Sequence, residues 1–341
     1  MPKMTFVIGA GCSLDYGMPS GDQLIETILL NLTADNPFKL NIDLNRLKVL
    51  QGIVDKAFFD AKLLPNYIEL RNKIYYSGVT SIDNFLSQYK EEDFETIVIK
   101  YIIYSEIKRL ELLSLREGYL KHPDDKNEPE LFKFKNNYLR TIFKKKFTKK
   151  SLVDLMNHLN DIKYYFVVFN YDRSIEYFLG KAIKNFYNIS DQQLLDVFNK
   201  NIFFKHVYGT LHNEELNIVQ IISDYENGLG NSRGYYIGNF DLVRNIKTIR
   251  GENDELYAIR DDYVSKSTRI MILGLGYNEI NFRIFPLDHK YVYERELILT
   301  TKGMSDGDIN KVNITFFGGE EPTGLKPRRD WTAYDLVNHN L

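Results

Sequence analysis

Four short segments of this chain carry residue types that could hold a nucleotide and act on it, and each one follows an apolar run. In GAGCSLDYGMPSG, the glycines Gly9 and Gly11 stop the run at residues 4–8. They permit a tight turn and a close backbone approach, and a helix starting behind such a turn offers unpaired N–H groups to a pyrophosphate. In VVFNYDRSIE, Asn170 and Asp172 come directly after an apolar run. A carboxamide there can hold a ribose hydroxyl or a water, while Asp172 either stands beside it or caps the next helix. KHVYGTLH brings His206, Tyr208, Gly209 and His212, and ILGLGYNEIN brings Gly274, Gly276 and Asn278. Taken singly, each segment reads as readily as a turn, a helix cap or a half-buried histidine. The spacing of the first is not G-x-G-x-x-G, so the dehydrogenase fingerprint is absent.

The elements that must position these residues follow from periodicity. Residues 4–8 (MTFVI), 164–169 (YYFVVF), 202–207 and 269–273 (RIMIL) are short apolar runs of the kind buried in a parallel sheet. Leu24, Ile28 and Leu32 recur at helical spacing within residues 20–32, as do Phe94, Ile97, Val98, Tyr101, Tyr104 and Ile107 further on. Strands alternating with helices predict an α/β fold, a Rossmann-like parallel sheet whose strand ends gather the four segments on one edge. Residues 1–34 and 151–288 would form that domain, with a helical insertion at 35–150 and a β-containing C-terminal segment at 289–341. In that last segment YVYERELILT and KVNITFFGG read as edge strands, and Trp331 packs on the core or at an interface. The polar HPDDKNEPE at 122–130 reads as a loop, and KKKFTKK at 144–150 as a solvated edge.

Composition narrows the class. The 341 residues carry a formal charge of −2, which argues against a nucleic-acid or membrane partner recruited by bulk charge. Cys12 is the one cysteine, so neither a disulfide framework nor a cysteine-rich zinc site is expected, in keeping with a cytoplasmic protein. The short apolar start meets glycine too soon for a signal peptide, and no apolar run is long enough for a membrane span.

The ordered set of segments resembles the sirtuin-like superfamily. GAGCSLDYGMPSG is similar to its GAGxS…GxP loop, and VVFNYDRSIE to the NYDxxxE segment beside the nicotinamide ribose. HVYGTLH is similar to the histidine–glycine segment, and ILGLGYNEIN to the late glycine-rich segment on the adenosine side. SIDNFL at 81–86 resembles a stretch common in the helical insertion of bacterial sirtuin-like proteins. The likeness covers most of residues 4–285, as islands. Deacylases of the superfamily hold zinc with four cysteines, and this chain has one. The resemblance therefore points to the bacterial antiphage-defence branch, which cleaves the N-glycosidic bond of NAD.

That resemblance implies NAD as substrate, with no prosthetic group and no metal. It places Gly9, Ala10, Gly11, Ser13 and Pro19 around the phosphates, and Gly274, Gly276 and Asn278 along the adenosine. Tyr208 and Gly209 line the pocket, Asn170 orients the water or the ribose hydroxyls, and Asp172 either stabilises the developing cation or caps its helix. The family's histidine immediately precedes the glycine, where this chain has Tyr208. Positions two apart share a strand face, so His206 would point the same way and becomes the candidate base. The alternative is a weak or inactive module that holds NAD or ADP-ribose. A toxic hydrolase needs restraint, which implies a homo-oligomer or a separate partner subunit of a defence system.

Overall fold

The computed structural model describes residues 2–32, 64–79, 81–116, 137–230, 240–248, 254–277, 279–282, 284, 296–302, 304–317 and 331–341. Five strands form one wholly parallel sheet: β1 (Lys3–Ile8), β2 (Lys163–Val168), β3 (Ile202–His206), β4 (Arg269–Leu273) and β5 (Glu296–Leu299), in the order β3-β2-β1-β4-β5. This is the Rossmann-like order, in which β1 and β4 flank the point where the winding reverses and where open α/β sheets receive ligands.

Strand side chains alternate between two apolar layers. Val7, Val167, Ile270, Ile272 and Leu297 enter one layer; Phe6, Ile8, Phe166, Val168, Met271, Leu273 and Ile298 enter the other. Both faces are covered by helices, which is why the strands read as unbroken apolar runs rather than alternating ones. On the first face lie α1 (Gly21–Asn31), α2 (Leu64–Ser77), α3 (Ile82–Leu86) and α4 (Phe94–Arg116). On the second lie α5 (Tyr138–Ile142), α6 (Leu152–Asp161), α7 (Ser174–Tyr187), α8 (Asp191–Asn201) and α9 (Ile218–Gly230). The described part of the expected helical insertion is thus divided between both faces.

The amphipathic reading of residues 20–32 holds in detail. Ser20 and Gln23 form a reciprocal capping box at the start of α1, and Leu24 and Ile28 are buried. Between Gly9 and α1, however, stands a 3-10 turn, Ala10–Tyr16, so α1 does not open directly behind the glycines. The C-terminal expectation needs one correction. ELIL is strand β5, but KVNITFF belongs to a helix, Asp306–Phe317. Its buried Ile309 and Val312 are three apart, so core packing on a helical stripe overrides the β preference of its branched residues. HPDDKNEPE and the first part of the C-terminal segment lie outside the described residues. Among the described residues, no helix is long and apolar enough to cross a membrane.

Candidate functional site

At the carboxyl edge of the sheet the glycine loops after β1 and β4 are packed on each other. The Gly9 amide donates to Leu273 O (2.9 Å) and the Gly11 amide to Gly274 O (2.9 Å). A methyl group on Gly9 would sit 2.5 Å from Leu275 Cα, and one on Gly274, at φ 59°, would meet the backbone and Sγ of Cys12. Mutual backbone approach at the winding reversal is therefore what demands glycine here. These two amides are committed within the protein, so the expected phosphate cradle cannot draw on them. Gly11 and Gly276 remain exposed, Ala10 and Pro19 are half-buried, and Asn278 lies outside the described residues. Thr300, just past β5, braces the arrangement by accepting the Gly274 amide on its hydroxyl at 2.8 Å.

Asn170 joins the first two segments. It is 6 % exposed, and its Nδ2 donates to Ser13 Oγ at 2.5 Å, while its Oδ1 is buried with no partner. An unsatisfied buried acceptor costs about 1–3 kcal/mol, and a hydroxyl or water donating to it would recover that cost. The backbone of Asn170 is held by His206, whose Nδ1 donates to Asn170 O at 2.9 Å and whose Nε2 lies 2.8 Å from Glu176 Oε1. Arg173 Nε donates to the same carboxylate oxygen at 2.9 Å. Burial alone would raise the Glu176 carboxyl, but the charges of His206 and Arg173 and their hydrogen bonds outweigh it and hold its pKa at about 2. With Asn170 O against one ring nitrogen and Glu176 against the other, neither nitrogen of His206 is open to a water, and a base needs one that is. In this arrangement it is a strut behind Asn170.

His206 and Tyr208 do not share a face, contrary to the two-residue rule. Strand β3 ends at His206 and the chain turns, so the alternation no longer applies beyond it. Tyr208 crosses to the layer of α1–α4, and its hydroxyl donates to Asn281 Oδ1 at 2.8 Å. Asn281 in turn donates to Gly276 O at 2.6 Å, which links the third and fourth segments. Tyr208 packs edge-on against Phe169 and lies 6.2 Å, ring to ring, from Tyr171. Burial first, and the nearby Asp83 second, push the Tyr208 hydroxyl well above its ordinary pKa, so it stays protonated. Gly209 follows at φ 72°, closed against the Asn245 carbonyl.

Asp172 is 3 % exposed and its Oδ1 accepts the Ser174 amide at 3.0 Å, at the start of α7. This is an Asx turn one residue ahead of the helix N-cap, which is Arg173 and carries no side-chain cap, so Asp172 does not fill the N-cap position weighed from the sequence. Burial, and then the charge of Glu111, raise its carboxyl pKa. Glu111 belongs to a buried ionic cluster that sequence reasoning passed over. Its Oε2 accepts from Lys108 Nζ at 2.9 Å, and its Oε1 stands 3.0 Å from His212 Nε2. Asp224 Oδ2 lies 2.7 Å from His212 Nδ1. Tyr225 donates to Glu111 Oε1 at 2.6 Å, accepts the Arg173 amide at 3.0 Å and stacks on the His212 ring at 5.1 Å. The cluster thereby ties α4 to the residue after Asp172.

The missed residues left faint traces. Arg173 and Glu176 stand in the quoted VVFNYDRSIE itself, three apart on α7. Lys108 and Glu111 interrupt the apolar stripe of α4 directly after Ile107, where charges need partners to be buried. Asn281 closes the quoted ILGLGYNEIN, while nothing local identifies Tyr225. Among the described residues, no group of three or more His, Cys, Asp or Glu side chains is arranged to hold a metal ion. No protein-family model matches this chain, and no curated protein matches it.

Proposed function

We propose that this protein binds NAD across the β1–β4 edge of its sheet and hydrolyses the N-glycosidic bond, releasing nicotinamide and ADP-ribose. The observation that carries the reading is Asn170: a buried carboxamide, fixed by Ser13 on one side and by His206 through its backbone, with an acceptor oxygen left open. A ribose hydroxyl or the attacking water supplies the donor that this oxygen lacks. Nicotinamide leaves as a neutral molecule, and the transition state is a ribosyl cation. The protein therefore gains most by positioning the water and the sugar rather than by strong base catalysis. The resemblance to defence-branch sirtuin-like proteins supports NAD as the substrate and NAD depletion during phage infection as the outcome. Restraint in uninfected cells falls in this reading to oligomerisation or a partner subunit.

Asn170→Ala is expected to lower nicotinamide release by at least about 10²-fold, the scale of losing one positioned polar group, with the thermal midpoint nearly unchanged. Chromatography of nicotinamide and ADP-ribose, beside thermal unfolding of both proteins, checks it. Full turnover in a folded Asn170→Ala protein removes the mechanism.

A second reading is favoured by the state of the two residues nearest the family's histidine position. His206 has no free nitrogen and Tyr208 keeps its proton, which suits a module that holds NAD or ADP-ribose without cleaving it. Saturable NAD binding by calorimetry with no nicotinamide release at any pH would select that reading.

A further inference from the structure

One carboxyl group near this edge comes from the short helix α3. Asp172 is buried and takes the Ser174 amide on Oδ1; Glu176 meets His206 and Arg173 through Oε1 alone, its buried Oε2 having no partner; Glu111 sits within the Lys108–His212–Tyr225 cluster; Asp224 is bonded to His212. Asp83, on the short helix α3 in SIDNFL, is half-buried. Its Oδ1 accepts the Tyr171 hydroxyl at 2.8 Å, and its Oδ2 meets only the Ser81 hydroxyl, at a long 3.3 Å. A carboxylate offers about four lone-pair sites, so this one has capacity to spare. Tyr171 is the residue after Asn170, and the Tyr208 ring stands beside it. Asp83 therefore meets, from the helical region, the Tyr171 side chain that extends from the residue after Asn170, with Tyr208 nearby.

We propose that Asp83 is a catalytic residue, the proton acceptor for the water that attacks the ribose, presented to the sheet edge by α3. This rests on the hydrolase reading above. As the C1′–N bond breaks, its electron pair leaves with the nicotinamide nitrogen. The water oxygen bonds to C1′, one water proton passes to an Asp83 carboxylate oxygen, and solvent later removes it. Tyr171 holds the other carboxylate oxygen and so aims the group. This resolves the difficulty that both ring nitrogens of His206 are engaged and Tyr208 stays protonated: the base comes from outside the sheet. The titratable groups facing Asp83 from the strand ends are Tyr171 and Tyr208. Burial drives both hydroxyls well above their ordinary pKa, so they remain neutral donors. Burial likewise raises the Asp83 carboxyl above its ordinary value of 3.8. Activity needs the ionised form, so turnover falls as pH drops through that raised value.

The test compares wild-type, Asp83→Asn and Asn170→Ala proteins in NAD turnover from acid to neutral pH, with NAD binding by calorimetry. Asparagine keeps the acceptor for Tyr171, so the fold is preserved. Asp83→Asn is expected to lose about 10²–10³-fold in kcat, to bind NAD within about threefold of wild type, and to lose the acid limb from its residual activity. Turnover within about threefold of wild type with the same acid limb overturns the assignment. So does a loss of NAD binding that accounts for the whole defect, since that marks a binding role. The wild-type profile is a second test, independent of how the variant folds: no acid limb above the ordinary carboxylate range refutes the proposal. Wild-type turnover abolished by Asn170→Ala but untouched by Asp83→Asn sinks Asp83 alone and leaves the hydrolase standing. No release by wild-type protein at any pH sinks both.

Discussion

Gly209→Ala is expected to destabilise the protein by about 4 kcal/mol, from two costs that add. Gly209 holds φ at 72°, a left-handed conformation that costs a residue with a side chain about 1–3 kcal/mol. The new methyl group would also overlap the Asn245 carbonyl oxygen, and overpacking of this kind costs about 1–3 kcal/mol, near the upper end when backbone must move. Asn245 cannot retreat freely. Its side-chain amide donates to His212 O at 3.0 Å, and two residues on the Lys247 amide donates to Tyr208 O at 2.9 Å. The segment is clamped at both ends around the loop it would have to leave. Gly21→Ala is the control, because a methyl group there meets nothing within 4 Å at the first turn of α1. Urea unfolding should show a large drop in midpoint for Gly209→Ala and almost none for Gly21→Ala. Equal midpoints would mean that the loop yields without cost.

Glu111→Gln should cost about 3–5 kcal/mol, the scale of breaking a buried ion pair from one side. Lys108, Glu111 and His212 are each no more than 4 % exposed, so Lys108 and His212 would face a neutral amide in place of that carboxylate, with little water to compensate. Such an effect has a pH signature. Burial would raise the Glu111 carboxyl, but the Lys108 and His212 charges and the hydrogen bonds from His212 and Tyr225 hold it well below its ordinary value of 4.5. A depressed folded pKa means that the carboxylate stabilises the fold fully above the unfolded value and loses that contribution progressively as pH falls through the folded one. The gap between wild type and Glu111→Gln should therefore be constant near neutrality and shrink below about pH 4.5. Denaturant unfolding at several pH values measures it. A gap under about 1 kcal/mol, or one that does not narrow in acid, would show that the cluster is not holding α4 as an ionic unit.

Fold class was legible in the sequence because a buried parallel strand leaves a local mark: a short apolar run that ends at a glycine or polar residue. Four of the five strands announce themselves in this way, and β5 sits within a segment of evident β character. The helix Asp306–Phe317 was read as strand because Val312 and Ile314 favour strands locally. Only the core beneath Ile309 and Val312 shows the helical stripe.

The candidate site divides along the same line. The sequence by itself determined that Gly9, Asn170, His206 and Gly274 stand at strand ends, because strand ends are written in contiguous residues. It could not determine what those residues face. That Gly9 and Gly274 need glycine for each other, that His206 braces Asn170 through Glu176, and that Tyr208 turns to the opposite layer depend on contacts between segments far apart in the chain. Asp83 shows this most clearly. Within SIDNFL it is one acid behind a capping serine, and only packing of α3 against Tyr171 brings its carboxylate to the hydroxyl of the residue that follows Asn170. Residue types and local periodicity fix the elements; side-chain partners depend on which elements the core brings together, and that information is spread over the whole chain.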